Sequence, residues 1–454
     1  MTTLRSRFTV CGALLIAFPI FSAYGLAQGG TRLVTLHSFT GPDGEGPDAA
    51  VAIGNGGVLY GTTSLAGSGA GGTVFSLTPP ASEGGAWTAA LLYAFGSATG
   101  DGAFPGPARL SIGSGGVLYG TTPYGGIAPG ISGYGTVFSL TPPAFQGGAW
   151  TEAVLYRFTR GADGGYPDAG VAIGEGGVLY GTTSQGGIVN ASCNDGCGTV
   201  FSLAPPAGGP SGSGAWTEAV LYSFAGGDSD GLGPFGELVI GGRGVLYGTT
   251  PFGGNTNCGT VFSLTPPRGP SGSGGVWTEK VLYNFTGGID GANPYPGVTV
   301  GSGGVLYGAT LYGGLGLCNQ GLGCGTVFSL TQAAGGASGS GPAWTEAVLY
   351  AFTGGADGDG PWAPSVGEGG VLYGTTQAGG TTENRSQEGC GTVFSLSPPT
   401  TASGAWVEAV LSRFPGRGDD GQPLGLAIGK EGMLYGTTYF GGAAGDGSVF
   451  SLRP

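Results

Sequence analysis

The chain has 454 residues, of which 106 are glycine, and a formal net charge of −13. Glycine far exceeds its usual share of about 7%, yet it follows no three-residue period, which excludes collagen. Hydrophobic residues make up 40% of the chain and aromatic residues 11%, so a core can be buried and disorder is excluded. Lysine and arginine together number 14 and form no basic stripe, so we expect no nucleic-acid partner.

Residues 1–27 have the pattern of a secretory signal. Arg5 and Arg7 form a short basic region, Phe8–Leu26 is largely apolar, and small residues precede a predicted cut after Ala27. No other run reaches the ~18 apolar residues of a membrane span. We therefore expect a monomer without a transmembrane span that is secreted, periplasmic or held at the cell surface.

A five-residue run, Leu-Tyr-Gly-Thr-Thr or a close variant, recurs along the whole chain after the predicted signal. Its tyrosines are Tyr60, Tyr119, Tyr180, Tyr247, Tyr307, Tyr373 and Tyr435. Successive tyrosines are 59, 61, 67, 60, 66 and 62 residues apart. A repeat at such a nearly constant period indicates a solenoid, a propeller or another repeat architecture.

Each repeat unit contains four strand-like runs separated by turn residues. In the third copy they are Gly170–Gly174, Val178–Thr183, Gly198–Leu203 and Trp216–Phe224, with Gly-Gly, Pro-Pro and Asp-Gly turns between them. Four antiparallel strands in about sixty residues make one propeller blade. The sequence therefore predicts an all-β fold, a single seven-bladed β-propeller over residues 28–454.

The two ends of the chain predict how the ring closes. Six copies of the fourth strand end in phenylalanine, and a seventh copy, Leu33–Phe39, precedes the first full unit. The last unit stops after its third strand, at Ser448–Leu452. We expect residues 32–39 to supply the missing strand of the last blade, which leaves no open edge. An open solenoid would instead require polar capping units, and none is visible.

The repeat also resembles a known family. The unit reads Gly-Val-Leu-Tyr-Gly-Thr-Thr, then Gly-Gly, Cys-Gly-Thr-Val-Phe-Ser-Leu, Trp-Thr-Glu-Ala-Val-Leu-Tyr-Ser-Phe and Asp-Gly-x-x-Pro. This pattern is similar to the GloVer-type tandem repeat of exported bacterial proteins over residues 31–454. The resemblance implies an exported protein and brings no established activity with it.

Histidine occurs once, as His37 on the predicted closing strand. Catalysis by Ser-His-Asp or Cys-His, and metal sites built on histidine, are therefore excluded. We predict no catalytic residue, although carboxylates and tyrosines could still support chemistry.

An Asp-Gly pair lies in the loop from the fourth strand to the next blade, and a proline follows it. The aspartates are Asp43, Asp101, Asp163, Asp230, Asp290, Asp357 and Asp420. One interpretation is a turn in which each aspartate bonds its own backbone; the other is a ring of ligand-binding carboxylates on one face. Asp228 beside Asp230, and Asp359 beside Asp357, could hold Ca²⁺ through oxygen ligands, and no other cofactor is predicted.

Aromatic residues that interrupt the repeat are candidates for ligand contact. They fall in the Asp-Gly loops or just after the Thr-Thr pair, which should share one face: Trp362, Tyr124, Phe252, Tyr312, Phe440 and Tyr166. Exposed rings beside carboxylates suit sugars or other flat polar ligands, but the same loops could simply pack on each other. The repeated tryptophans, such as Trp150 and Trp344, are expected to pack between blades.

Seven cysteines occur, and Cys11 would leave with the signal. An even number of remaining cysteines in an exported chain favours disulfides. We predict the local pairs Cys193–Cys197 and Cys318–Cys324, with Cys258 and Cys390 left over. The competing scheme joins neighbouring blades through Cys324 and Cys390.

These patterns favour an exported, non-catalytic propeller that binds a ligand or partner on its loop face, such as a glycan, a cation or a surface protein. A carbohydrate-active hydrolase or lyase on the same scaffold is the second hypothesis. A purely structural surface repeat is the third.

Overall fold

A computed structural model describes residues 32–454 with internal gaps. The gaps are residues 68–70, 83, 97, 108, 128–131, 146, 211, 213, 268–274, 333–342, 381–388, 402–403 and 415–420. The predicted signal at residues 1–27 and the aspartate at position 420 lie outside the described residues. No helix within the described part of the chain is long and apolar enough to cross a membrane.

Seven antiparallel four-stranded sheets form the blades of a ring, which confirms the predicted seven-bladed β-propeller. The first strands are Ala52–Ile53, Ser111–Ile112, Ala172–Ile173, Val239–Ile240, Val298–Val300, Ser365–Val366 and Gly421–Ile428. The second strands are Leu59–Thr63, Leu118–Thr122, Leu179–Thr183, Leu246–Thr250, Leu306–Thr310, Leu372–Ala378 and Leu434–Phe440.

The outer half of each blade follows the same order. The third strands are Thr73–Thr78, Thr136–Thr141, Thr199–Ala204, Thr260–Thr265, Thr326–Gln332, Thr392–Ser397 and Ser448–Leu452. The fourth strands are Thr88–Ala94, Thr151–Arg157, Thr217–Ser223, Thr278–Asn284, Trp344–Ala351, Val407–Arg413 and, for the seventh blade, Leu33–Ser38.

Short elements fill the connections. One-turn 3-10 elements join the first strand to the second at Asn55–Gly57, Ser114–Gly116, Glu175–Gly177, Gly242–Gly244, Ser302–Gly304, Glu368–Gly370 and Lys430–Gly432. Another lies at Asn319–Gly321. Additional short strands are Gly102–Ala103, Tyr124–Gly125, Gly231–Leu232, Phe252–Gly253 and Asp359–Pro361.

The first strand of the chain closes the ring as predicted. Leu33–Ser38 pairs antiparallel with Ser448–Leu452, from Leu33 opposite Leu452 to Ser38 opposite Ser448. The pairing skips one residue between Thr35 and His37. The other blades carry a bulge at the equivalent place between their third and fourth strands, as between Val137 and Phe138. The closing strand therefore reproduces the geometry of an ordinary fourth strand.

Phenylalanine pairs hold neighbouring blades together. At every junction the phenylalanine after a fourth strand packs on the third-strand phenylalanine of the next blade, with ring centroids 4.9 to 5.4 Å apart. The second strand approaches the same ring closely, because a Cβ at Gly181 would lie 2.5 Å from the Phe201 ring. Buried aromatic pairs of this kind contribute about 0.5–1.5 kcal/mol beyond their buried area.

Six of the seven tryptophans also lie between blades, as predicted for Trp150 and Trp344. Trp150 meets Tyr60 of the preceding blade at 6.0 Å, and Trp344 meets Tyr247 at 6.0 Å. These tryptophans are half-buried. Truncating one should therefore cost less than the about 3–5 kcal/mol expected for a fully buried ring.

Candidate functional site

The loops from the fourth strand to the next blade and the loops after the second strand lie on one face, which we call the loop face. In the first six blades the residue after the Asp-Gly pair lies opposite the second residue after the Thr-Thr (or Ala-Thr) pair, and in the seventh blade Gly421 lies opposite Phe440. Examples are Ala103 opposite Tyr124, Leu232 opposite Phe252, and Ala292 opposite Tyr312. The prediction that both sets of candidate residues share one face is thus realised in the structure.

A cavity of about 160 Å³ lies on the propeller axis. Its lining includes a residue from every blade, among them Asp48, Pro107, Ala169, Tyr295 and Leu424, and only the axis is reached by all seven. The residue that follows the loop proline lines the cavity in five of the seven loops, and in the other two loops its neighbour, Pro107 or Ala169, lines it instead. We call these seven positions the rim. In chain order these residues are Asp48, Gly106, Asp168, Phe235, Tyr295, Trp362 and Leu424.

The rim is therefore acidic on one side and aromatic on the other. Asp48 and Asp168 come from the loops entering the first and third blades, and the small Gly106 lies between them in the ring. Phe235, Tyr295 and Trp362 line the cavity from the next three loops. Such a pairing of apolar surface with a few polar groups is typical of small-ligand sites.

The carboxyl groups of the two rim aspartates are buried. Burial raises the pKa of Asp48 to about 8, although a hydrogen bond from Ser64 opposes the shift. Burial likewise raises the pKa of Asp168 to about 7, against a hydrogen bond from Ser184. Oδ1 of Asp48 is buried and has no hydrogen-bond partner among the described residues. Both groups are consequently proton donors over part of the neutral range.

The neighbouring blade positions both aspartates. The Thr437 hydroxyl donates to the carbonyl of Ala49 at 2.9 Å, and the Thr121 hydroxyl donates to the carbonyl of Ala169 at 2.8 Å. These alanines follow the two rim aspartates directly. At four other blades the equivalent threonine hydroxyl has no partner within the described chain. The bond is therefore specific to the two acidic loops.

An ion pair at the cavity connects the two loops on either side of the loop that enters the third blade. The Arg109 backbone N–H donates to Oε1 of Glu237 at 2.8 Å, and Nη2 of Arg109 lies 3.9 Å from Oε2. The two residues come from the loops entering the second and fourth blades. The charges of Arg109 and Glu237 therefore offset each other.

Aromatic rings form the opposite wall. Phe235 and Tyr295 lie 5.4 Å apart between ring centroids, and Phe252 packs on Tyr295 from outside at 6.1 Å. Burial, with the nearby Tyr312 and Asp168, raises the pKa of Tyr295 to about 12, so its hydroxyl stays protonated. Nε1 of Trp362 is buried without a partner among the described residues.

The other predicted aromatics lie farther out on the loop face. Tyr124 packs on Tyr166 at 5.5 Å and Tyr166 packs on Tyr134 at 5.8 Å, while Phe440 packs on Tyr439 at 4.7 Å. Tyr124 remains 41% exposed. Of the six aromatic candidates from the sequence, only Trp362 lines the axial cavity.

The Asp-Gly aspartates serve their own loops. Asp163 accepts from the backbone N–H of Thr159 at 2.8 Å and from the hydroxyl of Tyr156 at 3.2 Å. Asp101, Asp230, Asp290 and Asp357 accept from equivalent groups, and Asp43 accepts from Thr40 and contacts His37. These carboxylates lie beside the outermost strand. They match the turn interpretation and do not ring the axial cavity.

A glutamate of the next blade completes a cluster at five junctions. The junction glutamates are Glu152, Glu218, Glu279, Glu346 and Glu408. Each has a buried Oε1 with no partner among the described residues, and each has a pKa raised to about 7 by burial and by the adjacent loop aspartate. At the other two junctions both the tyrosine and the glutamate are replaced, by Ser412 with Leu33 and by His37 with Ala89.

The structure does not bring the proposed calcium ligands together. Asp228 is exposed, whereas Asp230 is buried and engaged by its own loop. The Asp359 carboxylate accepts from Nδ2 of Asn319 at 3.1 Å. It lies near Cys318 and Cys324, but these two sulfurs bond each other, so the group offers one carboxylate to a cation.

Both predicted local disulfides are present. Cys193 bonds Cys197 and Cys318 bonds Cys324, each within a single loop between the second and third strands. The competing pairing of Cys324 with Cys390 is therefore wrong. Cys258 is a half-buried thiol.

The sequence did carry a signal for the axial residues that pattern reasoning missed. The loop proline is present in every copy, whereas the residue after it changes from acidic to aromatic to aliphatic. Asp48, Asp168 and Phe235 could have been found from this contrast alone. Arg109 and Glu237 could not, because their pairing depends on the curvature of the ring.

The fold defines this chain as a seven-bladed propeller built from one repeated unit, with a cavity on its axis. A sequence profile of the Gloeobacter/Verrucomicrobia repeat matches residues 22–193 and 132–383, well over half of the chain. The chain belongs to this repeat family, which confirms the resemblance seen in the motifs. Among curated proteins, no match to the chain is found.

Several solved structures are similar to this chain at low sequence identity. The extracellular domain assigned to a hybrid two-component system of B. thetaiotaomicron is 12% identical with a TM-score of 0.48, and 93% of this chain spans 41% of that one. A PL25 ulvan lyase is 9% identical with a TM-score of 0.45, covering 91% and 97% of the two chains. The aldose sugar dehydrogenase of Escherichia coli is 12% identical with a TM-score of 0.41, covering 93% and 99%.

Proposed function

We propose that this protein is an exported, non-catalytic propeller that binds a small polar ligand, a single sugar ring or a cation, in its axial cavity. One observation carries the proposal. The seven rim positions hold six different residue types, although they follow the same loop proline and although the scaffold around them is repeated. In a purely structural ring we would expect the same residue type at all seven of these positions.

The unsatisfied groups in the cavity wall support the same proposal. Oδ1 of Asp48 and Nε1 of Trp362 are buried without partners in the described chain, and each such group costs about 1–3 kcal/mol. Buried polar groups without partners call for an explanation, and a ligand carrying both an acceptor and a donor would supply one. The predicted signal and the two disulfides favour an exported protein.

A hydrolase or lyase finds less support in this cavity. General acid–base chemistry needs one protonated and one ionised group at the reacting bond. Burial raises the pKa of both Asp48 and Asp168, so both tend toward the acid form. The third acid, Glu237, is engaged by Arg109.

Binding and stability can be separated by two tryptophan variants of residues 28–454. A glycan array and a thermal-shift panel of sugars and organic cations would identify a ligand of the unmodified protein. Trp362→Ala should abolish binding with little loss of thermal stability, because the ring lines the cavity. Trp216→Ala should lower stability by up to about 3 kcal/mol and leave affinity unchanged, because this ring packs on Tyr119. Equal affinity of Trp362→Ala and wild type would contradict the proposed site.

A further inference from the structure

The aspartates at the cavity have no counter-ion among the described residues. Arg109 is the basic residue of the lining, and Glu237 neutralises it. Neither Asp48 nor Asp168 forms an ion pair with any basic residue in the described part of the chain. When these two carboxyls ionise, nothing on the wall balances them. The ligand therefore has to supply the positive charge.

The aromatic side of the cavity also favours a positively charged ligand. Phe235, Tyr295 and Trp362 line the cavity together. The face of an aromatic ring carries a negative quadrupole that attracts ammonium groups, and clusters of rings around a cationic ligand exploit this. Rings alone would accept any apolar group. Rings opposite two carboxyls without counter-ions select a cation that has an apolar surface.

From these features we infer that the axial cavity binds a compact organic ammonium ion, with Asp48 in the wall as its counter-ion, Asp168 beside the lining residue Ala169 as a second acidic group, and the rings of Phe235, Tyr295 and Trp362 around its alkyl groups. This inference rests on the proposed function and narrows its ligand to one chemical class. A cavity of about 150 Å³ accommodates a ligand the size of benzene. The volume of about 160 Å³ therefore fits a small alkylammonium or quaternary ammonium ion, and not a longer chain.

Proton release should accompany binding. The groups facing Asp48 are Ser64 and Tyr439, and those facing Asp168 are Ser184, Tyr124 and Tyr295; none of them brings a positive charge. Burial raises the pKa of Asp48 to about 8 and that of Asp168 to about 7. A bound ammonium would stabilise the ionised carboxylates and displace these protons. Affinity should then rise with pH, by up to tenfold per pH unit for each carboxyl that is still protonated.

Calorimetric titration of residues 28–454 with choline, its uncharged isostere 3,3-dimethylbutan-1-ol, and glucose tests the inference. We expect choline to bind at least tenfold more tightly than the isostere. We also expect choline to bind at least tenfold more tightly at pH 8.5 than at pH 6, with protons released into the buffer at the lower pH. The double variant Asp48→Asn with Asp168→Asn should lose choline binding. Glu175→Gln, an exposed carboxylate of the opposite face, should bind as the wild type does.

The possible failures are distinguishable. Glucose or the isostere binding as tightly as choline, in a manner that Trp362→Ala removes, would overturn the ammonium inference while the proposed binding function stands. Choline affinity that does not depend on pH would also overturn it. Absence of binding by these ligands, and by every member of the wider sugar and cation panel, would overturn both. Because the first comparison uses the unmodified protein, it does not depend on the folding of any variant.

Discussion

The rings of Phe39 and Phe75 meet edge-on with centroids 5.0 Å apart, across the junction where the first strand of the chain completes the last blade. The same contact recurs at the other six junctions within one continuous chain segment. The seam between the two chain ends is therefore packed like any other junction. Its strength rests on Phe39, which is fully buried.

Phe39→Ala should destabilise the ring by about 3–5 kcal/mol, the usual cost of truncating a buried aromatic ring. Val34→Ala on the same strand is the matched control, because Val34 is largely exposed and should change the free energy of unfolding by less than about 0.5 kcal/mol. Urea denaturation measures both. Deletion of residues 28–40 should go further and cause aggregation, because it exposes the edge of Ser448–Leu452. Unchanged melting of that deletion would contradict ring closure.

Stability should fall as pH rises from about 4.5 to about 7. The five junction glutamates have folded-state pKa values of about 7, above the ordinary value, so the folded state binds more protons than the unfolded state in this window. By linkage the free energy of unfolding then decreases with pH, and the contribution of these five glutamates levels off above about 7.

Replacing all five junction glutamates with glutamine should remove most of that slope and raise the melting temperature at pH 8. The slope that remains belongs to Asp48, Asp101 and Asp168, whose pKa values burial raises in the same direction. Glu175→Gln is the control for loss of one exposed charge. Melting curves by circular dichroism at several pH values measure this. If the melting temperature of the five-glutamine variant fell with pH as steeply as that of the wild type, the junction glutamates would not be the source of the pH dependence.

Peptide mapping without reduction should recover Cys193 linked to Cys197 and Cys318 linked to Cys324. Cys258 should react with an alkylating agent in the unfolded, unreduced protein. Recovery of six free thiols from protein alkylated at lysis would contradict both pairs and weaken the case for export.

Arg109→Gln should leave stability within about 0.5 kcal/mol of wild type, because exposed ion pairs contribute little. The loop should keep its position, since the backbone N–H of residue 109 still donates to Glu237. Loss of the guanidinium makes the cavity more negative, so an ammonium ligand should bind more tightly, by roughly fivefold. Calorimetry measures this change, and weaker binding would show that Arg109 itself contacts the ligand.

Much of the fold was predictable because repetition exposes it. The period of the Leu-Tyr-Gly run predicted the blades, and the surplus strand at Leu33–Phe39 predicted the closure. The paired cysteines were predictable for a local reason, since Cys193 and Cys197 share one loop. In each case the contact is either repeated or short-range.

The axial site was not predictable in the same way. The repeat indicated the Asp-Gly carboxylates as candidates. A residue present in all seven copies, such as Asp163, instead stabilises the loop that all seven copies share. Asp48 and Trp362 are distant along the chain and meet only because the ring brings every loop to one axis. The junction glutamates were likewise hidden, since their burial depends on the adjacent blade.

The pairing of Leu33 with Leu452 determines the order in which this protein can acquire its native form. Leu33–Ser38 is synthesised before the first blade and pairs with a strand of the seventh, so it stays unpaired while six blades assemble. Closing so long a loop is slow relative to local pairing. Until then the edge of Ser448–Leu452, or of whichever blade is newest, can pair with another chain. Refolding yield should accordingly decline with protein concentration, and a peptide of residues 32–40 added in trans should compete for that edge.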